Sequence, residues 1–570
     1  MKKYAIRKAV PKKVAENLKA YEPLVQELLY SRGIKDFETA EKFLNPNYEE
    51  DIHNPFLLKD MEKAVGRIVD AIEKNETIAI YGDYDADGIP GSVVFSDFFK
   101  KINYPNIISY IPLRNEEGFG LNNEALDYLV SKNVKLLVTI DCGITDDKEI
   151  DHAESIGIDV IITDHHLPGE KIPKAFAIIN PKQKGCLYPE KMLCGSGVIF
   201  KVVQALAKHP KIDFPEGYEK WFLDMVGLAT LSDMVPLLGE NRVLAFYGLK
   251  VFRKSKRPGL LKLLSLVKIN QTTITEDDIA FMVTPRINAA SRMGIPSDAF
   301  KLLSTTDEVE AGVYAKHLDE KNNERKGLVA SMIKEIKKKI ENRNEDMKHV
   351  LVLGNPEWKP SLLGLVANSF SDEHGRPVFI WGREGVNGDS IIKGSCRSGG
   401  KINIVSLMEK VKDVFIDFGG HKGAGGFSVN VEKIHTLEDR LNEAFVLLEE
   451  NNDEEEISID RKIFLEDINW KTYKNIEKFS PFGFENPKPQ FLLENIEIFD
   501  VKQFGKEKNH LEIKFKKSDN KDVIAIAFFQ GPDSFEKKLE KGLKINLVAT
   551  LEKSVFRNFP ELRLRIVDIY

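Results

Sequence analysis

Acidic residues crowd three short stretches of this sequence, and each stretch follows an apolar run of strand length. Residues 77–81 (TIAIY) lead into Gly82-Asp83-Tyr84-Asp85-Ala86-Asp87-Gly88. Residues 135–140 (KLLVTI) end on Asp141, and residues 159–163 (DVIIT) end on Asp164-His165-His166. A further acid, Asp233, stands between the apolar stretch 221–231 and Pro236. Carboxylates this close repel one another and raise each other's pKa values, a conflict that a divalent cation removes. Carboxylate oxygens with one or two imidazoles suit Mn2+ or Mg2+, and histidine favours Mn2+. Two such ions about 3.5–4 Å apart, bridged by one carboxylate, hydrolyse phosphate esters.

Those side chains need a scaffold that brings them together. The apolar runs are rich in β-branched residues and alternate with helical patterns, which predicts a parallel sheet with helices on its faces. In such a sheet ligands bind outside the carboxyl ends of the strands, where all three acidic stretches fall. A calcium loop would share the Asp-x-Asp-x-Asp-Gly spacing, but its twelfth position counted from Asp83 is Val94 rather than Glu, and the run follows a strand.

The rest of the chain divides by pattern. Residues 1–50 read as a charged helical region and 51–306 as the catalytic α/β domain. Residues 307–347 read as a long connecting helix, on which Val329, Met332, Ile333, Ile336 and Ile340 form an apolar stripe suited to packing on a domain. A second α/β domain is expected over 348–448, ending in a glycine-rich stretch, and an acidic, polar linker over 449–456. Segments 495–501, 511–515, 523–529 and 562–569 predict strands of a small β-barrel over 457–570.

The 570 residues are 42% hydrophobic and 30% charged, an ordinary globular balance. The net charge of −6 does not attract nucleic acid, so any such attraction comes from local basic surfaces or bound cations. The barrel region, mildly basic, is one such surface. The four cysteines form no CxxC pair, so neither a zinc ribbon nor a thioredoxin-type site is indicated. The basic N-terminus lacks an apolar core segment, and no apolar run approaches the roughly 20 residues that span a bilayer. A cytoplasmic protein is expected.

The motif order resembles that of the DHH phosphoesterases: GDYDADG, Asp141, DHH and Ser232-Asp233-x-Val235-Pro236. Residues 286–294 (RINAASRMG) are similar to a further motif of the RecJ family. Residues 394–398 (GSCRS) and 419–426 (GGHKGAGG) resemble the DHHA1 domain, and Pro481-Phe482-Gly483 with 486–491 (NPKPQF) the start of the RecJ OB-fold. Residue types depart from the family's habit at Pro90, Ser291, Cys396 and Glu485.

The resemblance implies a DHH domain joined by a long helix to a DHHA1 domain, with a C-terminal OB-fold. It implies 5′-to-3′ hydrolysis of single-stranded DNA to mononucleotides with two divalent ions, Mn2+ or Mg2+. Asp85 and Asp87 would each bind a different ion, Asp141 would bridge both, and His165 and Asp233 would complete the second site. His166 would lie near the scissile phosphate, and Asp83 would be an outer or additional ligand. Arg292, Ser395 and Arg397 are the candidates for a 5′-terminal phosphate, with Gly420 and His421 beside them. Cys396 would lie beside that loop, either as a redox-sensitive thiol or as a small packed residue. On the barrel, Tyr473, Phe482, Phe484, Phe504, Phe528, Phe529 and Phe556 are candidate base-stacking residues, with Lys502, Lys506, Lys508 and Arg557 near them. Deleting residues beyond 455 would then weaken binding of long strands and spare short substrates. The implied partners are single-stranded DNA, a RecQ-type helicase and a single-strand-binding protein, around a monomeric enzyme of DNA repair and recombination. The alternative is a DHH phosphodiesterase of short RNA oligonucleotides or cyclic dinucleotides, which lacks the barrel and the long helix. A relative that serves only as a scaffold would lack metal ligands that this chain retains.

Overall fold

The computed structural model describes residues 3–341, 347–383, 391–400, 402–448, 456–505, 508–535, 537–554 and 559–570. They form two compact units, one from residues 3–111, 120–284 and 456–570, the other from residues 112–119 and 285–448. Among the described residues no helix is long and apolar enough to cross a membrane.

The first unit holds a five-stranded, wholly parallel sheet. Its strands are β1 (Thr77–Gly82), β2 (Ile107–Tyr110), β3 (Val134–Ile140), β4 (Asp159–Thr163) and β5 (Ala177–Ile179), in the order β2-β1-β3-β4-β5. The three strands expected from the sequence are the inner ones, whose burial on both faces produces continuous apolar runs. The two edge strands are short and leave no such run. On one face Tyr81, Leu137 and Ile162 pack with Leu126, Leu129 and Ile150 of the crossover helices. Helices α1 (Gly88–Lys101), α2 (Gly195–Ala207) and α3 (Leu223–Ser232) carry residues that matter below.

Residues 456–570 build the same unit's seven-stranded mixed sheet, whose strands include Phe491–Glu497, Asp500–Phe504, His510–Lys516, Asp522–Ala527, Lys544–Ser554 and Glu561–Ile569. Alternate residues such as Leu511, Ile513, Phe515, Leu547 and Ala549 fill its interior. The segment 495–501 is not one strand. It straddles two, because the chain breaks at Ile498 and Phe499, where the buried Ile498 turns into the core.

The N-terminal region differs from the helical one expected. It begins with a strand, Lys3–Ile6, paired in parallel with Glu456–Ile459. Its helices then send Leu18, Val25, Leu28, Leu29 and Phe43 into the barrel's own core. Residues 449–455 of the expected linker lie outside the described residues.

The main part of the second unit starts at Pro285, within the segment read as catalytic. Its mixed sheet contains β6 (Leu351–Gly354), β7 (Val378–Gly382), β8 (Ile391–Arg397), β9 (Phe415–His421) and β10 (Ala424–Asn430), in the order β9-β10-β8-β7-β6. Helix α4 (Glu308–Glu341) lays its apolar stripe on this unit: Met332 and Ile336 are buried with Leu363, Val366 and Phe370 of α5 (Pro360–His374), and Val329, Ile333 and Ile340 flank them.

Candidate metal centre and phosphate site

The three acidic stretches are held level by the backbone. Just past each strand's end, an aspartate donates its amide to the last residue of the next strand: Asp83 to Ile140, Asp141 to Thr163 and Asp164 to Ile179, at 2.9–3.1 Å. A parallel sheet in this register therefore places the first residue of every motif on one ledge. Asp141 adopts φ 65°, a left-handed conformation that Asp and Asn tolerate better than most residues.

Three ligand sets result, each with donor atoms within 4.8 Å: Asp83, Asp85 and Asp141; Asp87, His165 and Asp233; and Asp141, His165 and His166. All seven residues predicted for the centre are thus together, and Asp141 and His165 each belong to two sets. His165 Nε2 stands 3.1 Å from Asp141 Oδ1, 3.7 Å from Asp233 Oδ2 and 3.9 Å from Asp87 Oδ2. Asp141 Oδ1 and His165 Nδ1 are buried without a hydrogen bond. Buried polar atoms are rarely left so, and this donor set of carboxylates with imidazole fits divalent cations.

Several supporting residues were not read from the sequence. The amides of Gly195 and Ser196, at the start of α2, donate to the two oxygens of Asp87 at 2.6 and 2.7 Å, and Ser196 Oγ donates to its carbonyl. A helix N-terminus favours negative charge in this way. Position 195 admits only glycine, because a Cβ there would lie 2.4 Å from Asp141 Cβ. The clue in the sequence was Cys194-Gly195-Ser196-Gly197 opening an apolar helix. Asp164 is fully buried and accepts from the amides of His165, His166 and Ile144, and its Oδ1 lies 2.8 Å from His166 Nδ1. It organises the loop, and Asn180 fastens the far side by donating to the His166 carbonyl.

Burial and neighbouring carboxylates push Asp233 up to about 9 and Asp87 up to about 6, and raise Asp141 well above the carboxylate range. Burial, with the charge of His166, pushes His165 down to about 3, so it is neutral and ready to coordinate. Burial opposes protonation of His166, but the Asp164 carboxylate outweighs it and raises this group. Without metal these raised carboxyls favour the protonated form, so their own contribution to stability falls as pH climbs from about 4, the ordinary carboxylate value. At neutral pH a cation must displace the proton of Asp233. Mn2+ affinity is therefore expected to rise with pH up to about 9, the Asp233 value, with proton release on binding. Calorimetry at neutral pH in two buffers of different ionisation enthalpy checks this; identical heats would refute it.

In the second unit, Arg292, Ser395 and Arg397 gather at the first turn of α5. Arg292 Nη1 donates to the Ser361 carbonyl at 2.7 Å, and Ser361 Oγ returns a bond to the Arg292 carbonyl. A Cβ on Gly364, one turn along, would lie 3.1 Å from Ser395 Oγ and 3.2 Å from Arg397 Nη2. Two guanidinium groups and a hydroxyl thus meet the first turns of a 15-residue helix, a set of donors whose chemistry suits an anion. Gly420 and His421 lie on the exposed β9–β10 turn, where Gly420 pairs with Gly425 and has φ 147°. Ser395 Oγ reaches the same Gly425 through its carbonyl. Cys396 does not bring its thiol to the surface of this loop. Its side chain points to the opposite face of β8, fully buried against Met408, and burial pushes the thiol up to about 12.

Three family models match the chain: the DHH family N-terminal domain over residues 77–230, the DHHA1 domain over 347–447 and the RecJ OB domain over 459–568. The single-stranded-DNA-specific exonuclease RecJ of Bacillus subtilis (strain 168) is 34% identical over 550 residues, which is 96% of this chain and 68% of that protein. The RecJ of Haemophilus influenzae is 30% identical over 584 residues, covering 99% of each. The chain belongs to the RecJ family. A crystal structure of RecJ from Thermus thermophilus in complex with Mn2+ matches with a TM-score of 0.81 at 25% identity, covering 100% of this chain and 79% of that one. A crystal structure of exonuclease RecJ bound to manganese matches at 31% identity with a TM-score of 0.57, covering 68% of this chain and 94% of that one.

Within the RecJ OB region the candidate aromatics divide. Tyr473 and Phe482 pack against the core. Phe504, Phe528 and Phe529 surround His510, with ring centroids 4.8–5.3 Å from it, and Phe529 is 80% exposed. The Arg565 guanidinium lies 4.1 Å over Phe528. Spacing along the chain did not reveal His510 or Arg565, because adjacent strands bring them to the same surface. Lys502 is engaged by Glu512 at 2.8 Å. Lys506, Phe556 and Arg557 lie outside the described residues.

Proposed function

We propose that this protein is a single-stranded-DNA-specific exonuclease that releases mononucleotides from the 5′ end by two-metal-ion phosphodiester hydrolysis. The observation that carries the reading is the shared Asp141, which belongs both to the set with Asp83 and Asp85 and to the set with the imidazoles. Asp85, with Asp83, would hold one Mn2+ or Mg2+; Asp87, His165 and Asp233 would hold the second; Asp141 would bridge them. When bound, two such ions neutralise phosphoryl oxygens and lower the pKa of an attacking water. The amides of Gly195 and Ser196 keep Asp87 in place, and Asp164 holds the His166 ring toward the same ledge. A protonated His166 would donate to a phosphate oxygen next to the bond that breaks.

The cradle of Arg292, Ser395 and Arg397, with Gly420 and His421 nearby, would take the 5′-terminal phosphate and so set the direction of digestion. The surface of Phe504, His510, Phe528, Phe529 and Arg565 would stack the bases of a longer strand. The seven-stranded C-terminal sheet favours this reading over a phosphodiesterase of short RNA or cyclic dinucleotides. Family membership extends the proposal to a monomeric, cytoplasmic enzyme of repair and recombination that works with a RecQ-type helicase and a single-strand-binding protein.

The test is digestion in Mn2+ of 3′-labelled single-stranded DNA, blunt duplex DNA and a short RNA. Stepwise shortening of the single strand from its 5′ end, with the duplex spared, is expected; cleavage of the short RNA alone overturns the reading. Arg292→Ala and Arg397→Ala probe direction. Each removes a charged hydrogen-bond partner contributing about 1.5–3 kcal/mol, so kcat/KM on 5′-phosphorylated strands should fall about 10–100-fold. Activity on 5′-hydroxyl strands should change little, and an unchanged phosphate preference would rule out the cradle.

A further inference from the structure

The loop 479–487, which leads into the barrel, is fastened to the catalytic part of its own unit far more tightly than a linker requires. Arg242, 1% exposed, donates to the carbonyls of Phe479, Ser480 and Pro481. Glu276 accepts from the Phe482 amide at 3.1 Å and from Ser480 Oγ at 3.2 Å. The fully buried Asn486 donates to the Phe479 and Pro481 carbonyls and accepts from Arg32 Nε at 2.7 Å. The loop thus has a fixed shape, and its tip meets the chain just beyond Asp233. There the Leu237 amide donates to the Phe484 carbonyl at 2.9 Å. A Cβ on Gly483 would lie 2.7 Å from Leu237 Cδ1, so glycine is what lets Leu237 seat.

The segment between Asp233 and Leu237 has little slack. Asp233 ends α3 with its amide bonded to the Ala229 carbonyl at 2.9 Å. Met234 adopts φ 56°, Val235 is buried against Cys194 and Ala229, and Leu237 is 1% exposed. Only Met234, Val235 and Pro236 separate Leu237 from Asp233, and Val235 is itself held, so a shift of Leu237 is passed toward Asp233.

We propose that the loop 479–487 is a positioning element of the metal centre, which sets the place of the Asp233 carboxylate by holding Leu237. The proposal rests on the reading of Asp233 as a metal ligand. The residues that act are Gly483, through its missing side chain, and Phe484, through its carbonyl.

The experiment is Mn2+ titration of the full chain by calorimetry, with thermal melts alongside, for wild type, Asp233→Asn, Gly483→Ala and Gly483→Ala/Leu237→Val. Asp233→Asn should weaken one of two Mn2+ sites; if it binds as wild type does, the ligand reading fails whatever the loop does. Supporting residues of metal ligands typically contribute about 10–100-fold in affinity, and Gly483→Ala should weaken the same site by that order. Its activity should recover at high Mn2+, and Leu237→Val in the double variant should restore affinity by making room. A lowered melting temperature with wild-type Mn2+ affinity overturns the proposal and leaves the loop a structural fastening. If Gly483→Ala does not fold, Leu237→Val alone, which opens a gap at the same contact, carries the test: weaker binding at that site supports the proposal and unchanged binding overturns it.

Discussion

Asp141→Asn is expected to abolish Mn2+-dependent digestion of single-stranded DNA while leaving the fold intact. Asn tolerates the φ of 65° at this position, whereas Ala would add backbone strain to the chemical loss. The amide keeps the size of the side chain and removes the negative charge that two ligand sets share. A metal centre contributes several kcal/mol of transition-state stabilisation. At about 1.4 kcal/mol per decade, its loss lowers kcat by about a thousandfold or more. The check is kcat on a 3′-labelled single strand beside a thermal melt in chelator. A folded variant that keeps a tenth of wild-type activity would remove Asp141 from the centre of the mechanism.

Truncation at residue 455 is expected to unfold part of the protein rather than simply weaken its grip on long strands. The N-terminal helices bury Leu18, Val25, Leu28, Leu29 and Phe43 in a core that the barrel completes. Arg242 would keep its bond to the Phe43 carbonyl and lose the three carbonyls of 479–481. Burial already pulls its guanidinium down to about 9, so an underbonded charge there is costly. The point variant Arg242→Ala removes these bonds together with the packing of the guanidinium on Phe43. It strands buried carbonyls at about 1–3 kcal/mol each, a large share of the 5–15 kcal/mol typical of a domain. Limited proteolysis and melting of residues 1–455 and of Arg242→Ala check both statements. A truncated chain that melts within a few degrees of the full one, with residues 12–51 still resistant, would show the barrel to be an independent module.

The centre was legible because its chemistry sits at strand ends. Inner parallel strands must be apolar throughout, so Thr77–Gly82, Val134–Ile140 and Asp159–Thr163 announce themselves, and an acid directly after each is conspicuous. The stripe on α4 was legible for a similar reason, since one element carries the whole pattern. What stayed hidden depends on residues distant in sequence. Gly195 is dictated by Asp141, Gly483 by Leu237, and Arg242 by carbonyls more than two hundred positions away. The strand Lys3–Ile6 has no partner until Glu456–Ile459 is present, so neither half shows a hairpin signal. The fate of Cys396 turned on strand parity: its neighbours Ser395 and Arg397 meet on one face of the strand, and so Cys396 faces the other, against Met408.

The interleaving of the first unit also bears on how the chain is made. Its N-terminal helices leave the ribosome well before the barrel, yet the apolar face they present is covered by residues beyond 456. Some 400 residues of synthesis separate the two, on the order of 20–80 s at 5–20 residues per second. During that interval Val25, Leu28 and Phe43 lack the core that buries them in the finished fold. The second unit, contiguous over residues 285–448 apart from one short excursion, is free to fold while the first still waits for its closing strands.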